Sequence, residues 1–169
     1  MKDKINQARP LPMDSEIFHH LVDANWIAQE KINGERLVVI VEEVNSYGYS
    51  KTGKVYKVPE HLQDELNRFP VGTRLDGELK GKHYHVFDMM YLGRRDVMRW
   101  ALWERLETLG SMISGPWLVE VGSAYGKGVE EYYDSVIAEG GEGVVMKDPM
   151  GRYSDGWYKV KPEYDRRKP

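Results

Sequence analysis

Four consecutive β-branched residues constrain the fold of this chain more than any other feature of its sequence. They are Val-Val-Ile-Val at residues 38–41, inside the run 36–44, and this composition predicts a buried β-strand. Asn33-Gly34, just before the run, is a turn signal, and the apolar segment ahead of it predicts another strand over residues 26–30. Lys31 therefore follows one strand and precedes a turn into the next.

The rest of the chain alternates short β-rich runs with segments of helical spacing. Further strands are predicted at residues 46–50, 73–80, 83–90, 117–121, 143–147 and 156–161, and helices at residues 59–69, 100–112 and 129–139 and from the cap Asp14-Ser15 to Val22. The tight turn at Gly81-Lys82 favours antiparallel pairing of its flanking strands. Helices among antiparallel strands indicate an α+β fold. Residues 1–13 are polar, contain two prolines and are predicted to form an arm or leading loop.

Length, charge and cysteine content limit what the chain can do. A chain of 169 residues predicts a single domain, and a net charge of −3 means that any nucleic-acid contact must come from a local basic patch. The absence of cysteine excludes disulfides and thiolate metal sites. No apolar run approaches the ~20 residues that cross a bilayer, and no signal-peptide apolar region follows Met1, so we expect an intracellular protein with no membrane partner.

Lys31 gains significance from four later segments that carry the groups a reactive amine needs. These segments are Leu75-Asp76-Gly77-Glu78-Leu79, Val86-Phe87-Asp88, Glu142-Gly143-Val144-Val145-Met146-Lys147 and Trp157-Tyr158-Lys159-Val160-Lys161. An amine that attacks a nucleotide α-phosphate benefits from cationic neighbours. Lys159 and Lys161 are two residues apart on a predicted strand and therefore share one face, which suits that purpose.

Three other groups suit a bound nucleotide, although each has an ordinary structural explanation when taken alone. Glu78 and Glu142 supply oxygen ligands for Mg²⁺ or for a ribose hydroxyl, and Phe87 offers an aromatic face for a purine. Isolated carboxylates and lysines are usually solvated, and an isolated phenylalanine is usually a core residue. The order of five segments, each with residue types that phosphate transfer requires, favours the nucleotide site.

Read in sequence order, the five segments resemble the signature motifs of the covalent nucleotidyltransferases, namely ATP-dependent DNA ligases, RNA ligases and mRNA capping enzymes. The resemblance extends over residues 25–165. Three runs are similar to DNA ligases in particular: Tyr49-Ser50-Lys51-Thr52-Gly53, Phe87-Asp88-Met89-Met90-Tyr91-Leu92-Gly93 and Gly140-Gly141-Glu142-Gly143-Val144-Val145-Met146-Lys147-Asp148-Pro149. The chain thus resembles the adenylation domain of ATP-dependent DNA ligases, especially the small phage and viral ones.

This resemblance implies an α+β nucleotidyltransferase fold of the ATP-grasp-like kind, with twisted antiparallel sheets flanked by helices and ATP in the groove between them. It implies that residues 1–169 are one adenylation domain without the OB-fold domain that usually follows. The implied reaction is ATP-dependent sealing of nicked double-stranded DNA, with Mg²⁺, through a covalent lysyl-AMP and an adenylated 5′-phosphate. We expect a monomer in the cytoplasm of a bacterium or of a phage-infected host.

The resemblance also implies a role for each matched residue. Lys31 carries AMP as a phosphoramide, and Lys159 and Lys161 complete the catalytic set by gripping the α-phosphate. The other implied roles are adenine contact by the backbone around Glu30, AMP contact by Arg36, ribose binding by Glu78, adenine stacking by Phe87, metal binding by Glu142 with Glu78, and binding of the 5′-phosphate of the broken DNA strand by Arg36 and Lys51.

Three departures from the family pattern leave alternatives open. Asn33 stands where the motif Lys-x-Asp-Gly has aspartate, and Lys51 replaces the arginine of Ser-Arg-x-Gly, so a single ammonium replaces a bidentate fork. The chain ends eight residues after Lys161, with the basic run Arg166-Arg167-Lys168, so we expect either a minimal ligase or a piece of a longer protein. The alternatives are an RNA ligase, a capping-type guanylyltransferase and a non-catalytic remnant that binds nucleotide or DNA.

Overall fold

The described part of the chain, residues 3–164 of a computed structural model, separates into two units, each built from two stretches of sequence. The first unit comprises residues 3–5 and Gly34–Val121, and the second comprises Asn6–Asn33 and residues 122–164. Each unit contains one β-sheet together with helices, so the predicted α+β fold class is confirmed. The single adenylation domain stays a prediction, since one domain can contain two such units.

The secondary-structure elements are short and numerous. The strands are β1 (Arg9–Pro10), β2 (Ile27–Glu30), β3 (Glu35–Ile40), β4 (Tyr47–Tyr49), β5 (Val55–Lys57), β6 (Arg74–Lys80), β7 (His83–Leu92), β8 (Arg95–Asp96), β9 (Leu118–Glu120), β10 (Ser123–Tyr125), β11 (Val144–Lys147) and β12 (Tyr158–Val160). The helices are α1 (Glu16–Asp23), α2 (Gln63–Leu66), α3 (Leu102–Met112) and α4 (Gly128–Ala138), and 3₁₀ turns span Glu60–Leu62 and Pro162–Tyr164. Within residues 3–164, none of the helices has the length and apolar character needed to cross a membrane.

The sheet of the first unit has the strand order β5-β4-β3-β6-β7-β8, and β9 pairs in parallel with β7. Side chains alternate between the two faces of each strand. One face, together with α2 and α3, forms a core of Leu37, Val39, Val41, Val58, Leu62, Leu66, Phe69, Leu75, Tyr84, Val86, Met89, Val97, Leu109 and Leu118. Arg36, Asp76 and Glu78 alternate with these core residues and therefore lie on the opposite face.

Tyr84 joins the central strands of this sheet from the core side. Its hydroxyl shares its one proton between the carbonyl oxygens of Leu37 and Leu75, which lie 2.7 Å and 2.9 Å from the hydroxyl oxygen. A Cβ at residue 77 would lie 3.0 Å from the Tyr84 ring and would collide with the carbonyl oxygen of His85, so this close approach requires Gly77. Burial, reinforced by the charge of Asp76, raises the pKa of Tyr84 well above its ordinary value, and the hydroxyl remains a donor at neutral pH.

The sheet of the second unit has the order β1-β12-β11-β2-β10, in which β1 and β12 are parallel and the other pairs are antiparallel. Ser15 begins α1 as predicted, because its Oγ accepts the backbone N–H of Phe18 at 3.1 Å. Helices α1 and α4 supply apolar residues to a core of Leu11, Met13, Phe18, Leu21, Ala28, Val129, Tyr133, Val136, Val144, Met146 and Val160.

Most predicted elements are present with shifted ends, and one prediction is wrong. Residues 9–10 form β1 and pair with β12, so residues 1–13 are more than an arm or leading loop. The predicted strand 36–44 is β3, which ends at Ile40, and the predicted helix 59–69 is a 3₁₀ turn followed by the single turn of α2. Strands β1, β5, β8 and β10 have two or three residues each and were not predicted. The run Arg166-Arg167-Lys168 lies outside the described residues.

A buried ion pair joins β7 to α3 in the first unit. Arg105 Nε donates to Asp88 Oδ1 at 2.8 Å and its Nη2 donates to Oδ2 at 3.1 Å. The two side chains are 1% and 0% exposed. Arg105 Nη1 also donates to the carbonyl oxygen of Trp100 at 2.5 Å, so the guanidinium is held by both a carboxylate and the backbone.

We expect Asp88→Ala to lower the free energy of unfolding by about 3–5 kcal/mol, because it leaves the Arg105 charge buried without its carboxylate. The double variant Asp88→Ala, Arg105→Met should regain most of this loss, since it removes the charge as well. Urea unfolding monitored by tryptophan fluorescence measures both effects. Equal destabilisation of the single and double variants would contradict this account.

Candidate active-site residues

The end of β2 places Lys31 beside the start of β11. The two strands are antiparallel, with Glu30 opposite Val144, and the backbone N–H of Lys31 donates to the carbonyl oxygen of Gly143 at 2.9 Å. A Cβ on Gly143 would collide with the carbonyl oxygen of Val160, and the φ of 147° also favours glycine. Glycine at this position therefore lets β12 approach the point where Lys31 leaves the sheet.

Lys31 and Glu142 form an ion pair at this point. Lys31 Nζ donates to Glu142 Oε2 at 2.8 Å, and the side chains are 27% and 29% exposed. The hydrogen bond from Lys31 lowers the pKa of Glu142, and the positive charges of Lys31, Lys161 and Lys159 act in the same direction against the opposing effect of burial. Glu142 is therefore ionised at neutral pH and fixes the position of the Lys31 amine.

Strand β12 supplies two further lysines. Lys159 lies in the strand, Lys161 follows it, and the charges of both reach the Glu142 carboxylate. Lys161 Nζ also donates to Glu163 Oε1 at 3.0 Å, and this bond raises the pKa of Lys161. The structure thus brings Lys31, Glu142, Lys159 and Lys161 together in the second unit, while the chemical roles expected of them stay predictions.

Glu30 and Tyr132 lie side by side in the second unit. Glu30, whose backbone is predicted to contact adenine, is the last residue of β2, and Tyr132 belongs to α4. Burial raises the pKa of Tyr132, the Glu30 carboxylate adds to this effect, and the Glu30 backbone opposes it. Sequence reasoning misses Tyr132, because the contact depends on how α4 packs against β2 and no motif marks it.

In the first unit, a buried carboxylate holds Arg36. Arg36 Nε and Nη2 donate to Asp76 Oδ1 and Oδ2, both at 2.7 Å, and the side chains of Arg36 and Asp76 are 21% and 0% exposed. The guanidinium carbon lies 4.9 Å from the centroid of the Phe87 ring. No role for Asp76 is predicted from the sequence. The available signal was its spacing, since it lies two residues before Glu78 and on the same face of the strand.

Phe87 stands at a β-bulge in β7. The register passes from Asp76 opposite Asp88 to Gly77 opposite Val86, which leaves Phe87 as the extra residue. A bulge redirects the side chain of the extra residue relative to its neighbours. Phe87 is therefore partly exposed and does not join the core beside Val86, which is the placement that a stacking residue needs.

Glu78 and Lys51 occupy different places in the first unit. Glu78 is opposite Arg36 in the β3–β6 ladder and opposite His85 in the β6–β7 ladder, so these side chains form a row across three strands. Burial lowers the pKa of His85, which is therefore neutral at pH 7. Lys51 is exposed in the turn between β4 and β5, so its ammonium is accessible to a phosphate.

The two carboxylates predicted to bind metal belong to different units: Glu142 to the second and Glu78 to the first. In the part of the chain that the structure describes, no three His, Asp or Glu side chains cluster as a metal site. Mg²⁺ usually takes one or two carboxylates and completes its shell with water and substrate phosphates. An ionised, partly exposed carboxylate such as Glu142 fits a Mg²⁺ ion that arrives with a nucleotide.

The sequence profile described as ATP dependent DNA ligase domain matches residues 77–161, which is half of the chain. The chain belongs to this ATP-dependent DNA ligase family. The matched region contains Glu78, Phe87, Glu142 and the two lysines around Val160, whereas the segment with Lys31 precedes it.

Individual ligases match this ligase domain over part of their length. The domain is 35% identical over 91 residues to DNA ligase 4 of Aspergillus oryzae, a match that covers 48% of this chain and 9% of that protein. It is 31% identical over 114 residues to a probable DNA ligase of Rhodococcus opacus, which covers 63% of this chain and 22% of that protein. The chain thus spans between 9% and 22% of the length of these relatives.

The ligase domain also shares its fold with a solved structure, that of mycobacterial DNA ligase D complexed with ATP and MES. The two superpose with a TM-score of 0.69 over 96% of this chain and 60% of that chain, at 21% sequence identity. Likeness at this identity concerns the fold alone. It identifies the two sheets and their helices as the α+β nucleotidyltransferase fold of ATP-dependent ligases.

We expect Lys31→Met to raise the pKa of Glu142 towards the ordinary value of about 4.3, because it removes the hydrogen bond that contributes most to the lowering. A carboxylate with a lowered pKa stabilises the fold above its unfolded-state pKa, and this contribution is lost as the pH falls through the folded-state pKa. The stabilisation that Glu142 gives above about pH 4.3 should therefore shrink in the variant.

Carboxyl ¹³C NMR titration of Glu142 measures this change directly. Lys127→Met is the matched control, since Lys127 is exposed at the start of α4 and is not among the groups that shift Glu142. The same Glu142 pKa in the wild-type chain and in Lys31→Met would show that the ion pair does not govern this carboxylate.

Proposed function

We propose that this ligase-family domain catalyses ATP-dependent sealing of nicked double-stranded DNA through a lysyl-AMP intermediate on Lys31. The observation that carries the proposal is the Lys31–Glu142 ion pair, with Nζ 2.8 Å from Oε2, surrounded by the charges of Lys159 and Lys161. This is the constellation that transfer of a nucleotidyl group to an amine requires: a fixed nucleophile, an ionised carboxylate and cations to meet a phosphate.

The first step joins Lys31 Nζ to the α-phosphorus of ATP and breaks the bond from that phosphorus to the pyrophosphate oxygen. The lysine must release a proton to solvent before it attacks, and Glu142 Oε2, at hydrogen-bond distance from Nζ, fixes the position of the amine. Lys159 and Lys161 offset the negative charge of the phosphate. Lys161 must exchange its contact with Glu163 for this phosphate, which costs little because the Glu163 side chain is 62% exposed.

Two later transfers complete the reaction. AMP passes from Lys31 to the 5′-phosphate of the nick, and the 3′-hydroxyl then attacks that phosphate and displaces AMP. We assign the 5′-phosphate contact to Arg36 and Lys51. Arg36 suits this role because Asp76 holds its guanidinium in a fixed orientation, which reduces the entropy lost when a phosphate binds.

We assign adenine to Phe87 and to the backbone around Glu30, and the ribose to Glu78. Either of the two predicted carboxylates, Glu142 in the second unit or Glu78 in the first, would supply an oxygen ligand to Mg²⁺, and the ion would offset phosphate charge. The domain acts as a monomer on nicked DNA, and salt should weaken binding strongly because the contacts are to phosphates.

We expect the wild-type chain, incubated with Mg²⁺ and α-³²P-labelled ATP, to acquire a label that survives denaturing electrophoresis and is released by acid, as a phosphoramide is. Lys31→Ala should reduce this label to background because it removes the attacking nitrogen, whereas Lys127→Ala should keep it. An unlabelled wild-type chain would favour the non-catalytic remnant. Label from GTP but not from ATP would favour the capping-type enzyme.

Sealing assays on matched substrates then test the polynucleotide. We expect a nicked DNA duplex to be joined faster than the same nick in RNA. The reverse order would make the protein an RNA ligase, with the same covalent step.

We expect Phe87→Ala to raise the KM for ATP in self-adenylation by about 5- to 150-fold, since stacking of a base on an aromatic ring contributes about 1–3 kcal/mol. Phe87→Trp should keep a KM close to that of the wild type. Initial rates across ATP concentrations measure both. If Phe87 only supports Arg36, Phe87→Ala will instead leave this KM unchanged and weaken the sealing of nicked DNA.

A further inference from the structure

Residues 6–11, at the start of the second unit, lie against the strand that carries Lys159. We propose that they are a positioning arm, which fixes β12 and thereby the Lys159 ammonium beside the Lys31–Glu142 pair. The proposal rests on the proposed function, in which Lys159 meets the phosphate of ATP, and adds a cause for its position. Asn6 is the positioning residue of this arm.

The arm removes an exposed edge from the sheet. In the order β1-β12-β11-β2-β10, β12 has β11 on one side and β1 on the other. Without β1, the three residues Tyr158–Val160 would form an edge strand held from one side only. So short an edge strand is poorly fixed, because few backbone hydrogen bonds oppose its fraying.

The hydrogen bonds of the arm hold β12 at the residue before the strand and at its central residue. The backbone N–H of Arg9 donates to the carbonyl oxygen of Trp157 at 2.9 Å, and that of Leu11 donates to the carbonyl oxygen of Lys159 itself at 2.9 Å. Leu11 is buried at 3% exposure and belongs to the core of the second unit, so the donor beside Lys159 is anchored by burial of its own side chain. The backbone of Lys159 is therefore tied directly to the core through the arm.

Asn6 extends this hold to the loop that precedes β12. Its Nδ2 donates to the carbonyl oxygen of Tyr153 at 2.7 Å and to that of Asp155 at 2.9 Å, and its backbone N–H donates to Tyr153 Oη at 3.1 Å. One amide thus fixes two carbonyls of the segment 148–157 that connects β11 to β12. A segment held in this way has less freedom to shift the register of β12.

Buried aromatic contacts connect the segment 148–157 to the start of β12. The Tyr153 and Trp157 rings meet edge to face with their centroids 5.5 Å apart, and the Lys147 ammonium lies 3.9 Å from the centroid of Trp157. Tyr153, Trp157 and Lys147 are 2%, 4% and 1% exposed. Lys147 belongs to β11, so this stack joins the strand after Glu142 to the strand that carries Lys159.

The test compares Asn6→Ala and Asn6→Asp with the wild-type chain in self-adenylation. Asn6→Asp keeps the shape of the side chain and removes both of its N–H donors. We expect each variant to lower the rate at saturating ATP at least about tenfold, because small displacements of a charge that meets the transition state are costly. The KM for ATP should change less than this rate.

Gln63→Ala and Gln63→Glu are the matched controls in the first unit. Gln63 is also a bridging amide: its Nε2 donates to the carbonyl oxygen of Glu42 at 3.1 Å and its Oε1 accepts from the backbone N–H of Ser46 at 3.0 Å. These controls should lower the Tm by an amount similar to that of the Asn6 variants and keep the adenylation rate within about twofold.

A double-mutant cycle with Lys159→Ala separates positioning from general stability. If Asn6 acts through Lys159, Asn6→Ala will slow the wild-type chain but add almost nothing in the Lys159→Ala background. Equal slowing in both backgrounds, or no slowing in either, overturns the positioning arm. Absence of label on the wild-type chain rejects the proposed function itself, which distinguishes the two failures.

Discussion

The antiparallel pairing of β2 with β11 is the constraint on which the chemistry of the second unit depends. It sets Glu30 opposite Val144. Lys31 follows Glu30 in the chain, and Glu142 lies two residues before Val144. The ladder continues one step past the strand through the bond from the Lys31 backbone to Gly143. Two groups 111 residues apart in sequence therefore meet at 2.8 Å because of backbone hydrogen bonds, and the ion pair between them forms on a geometry that is already fixed.

The two units treat their charged residues differently, and the difference follows from burial. In the second unit the Lys31–Glu142 pair is about a quarter exposed on each side, so it can open to admit a phosphate without leaving a charge in an apolar core. In the first unit Asp76 is fully buried, and its two bonds to Arg36 hold a guanidinium that a surface salt bridge would leave mobile. An exchangeable partner suits the nucleophile role proposed for Lys31, whereas a fixed partner suits the phosphate-binding role proposed for Arg36.

Local sequence pattern predicted the long strands and missed four short ones, β1, β5, β8 and β10. The alternation in 73–80 and 83–90 and the cap at Ser15 are local properties, and β6, β7 and α1 appear close to where they place them. Strand β1 has two residues and is defined by its backbone hydrogen bonds to β12 and the residue before it, so no local signal marks it. The bulge at Phe87 is equally invisible, since it is defined by the register between two strands.

The sequence by itself determined which reactive residue types are present and their order along the chain. They are a lysine after a strand, a carboxylate near a glycine, an aromatic beside an acid, a second carboxylate near glycines, and two lysines two residues apart, in the pattern of ATP-dependent ligases. Only the tertiary structure decided the partners. In the folded chain, Lys31 forms an ion pair with Glu142, Arg36 with Asp76 and Lys161 with Glu163. Residue identity and residue order are properties of the sequence. Hydrogen-bond distances depend on strand register and burial, which exist only once distant segments have packed together.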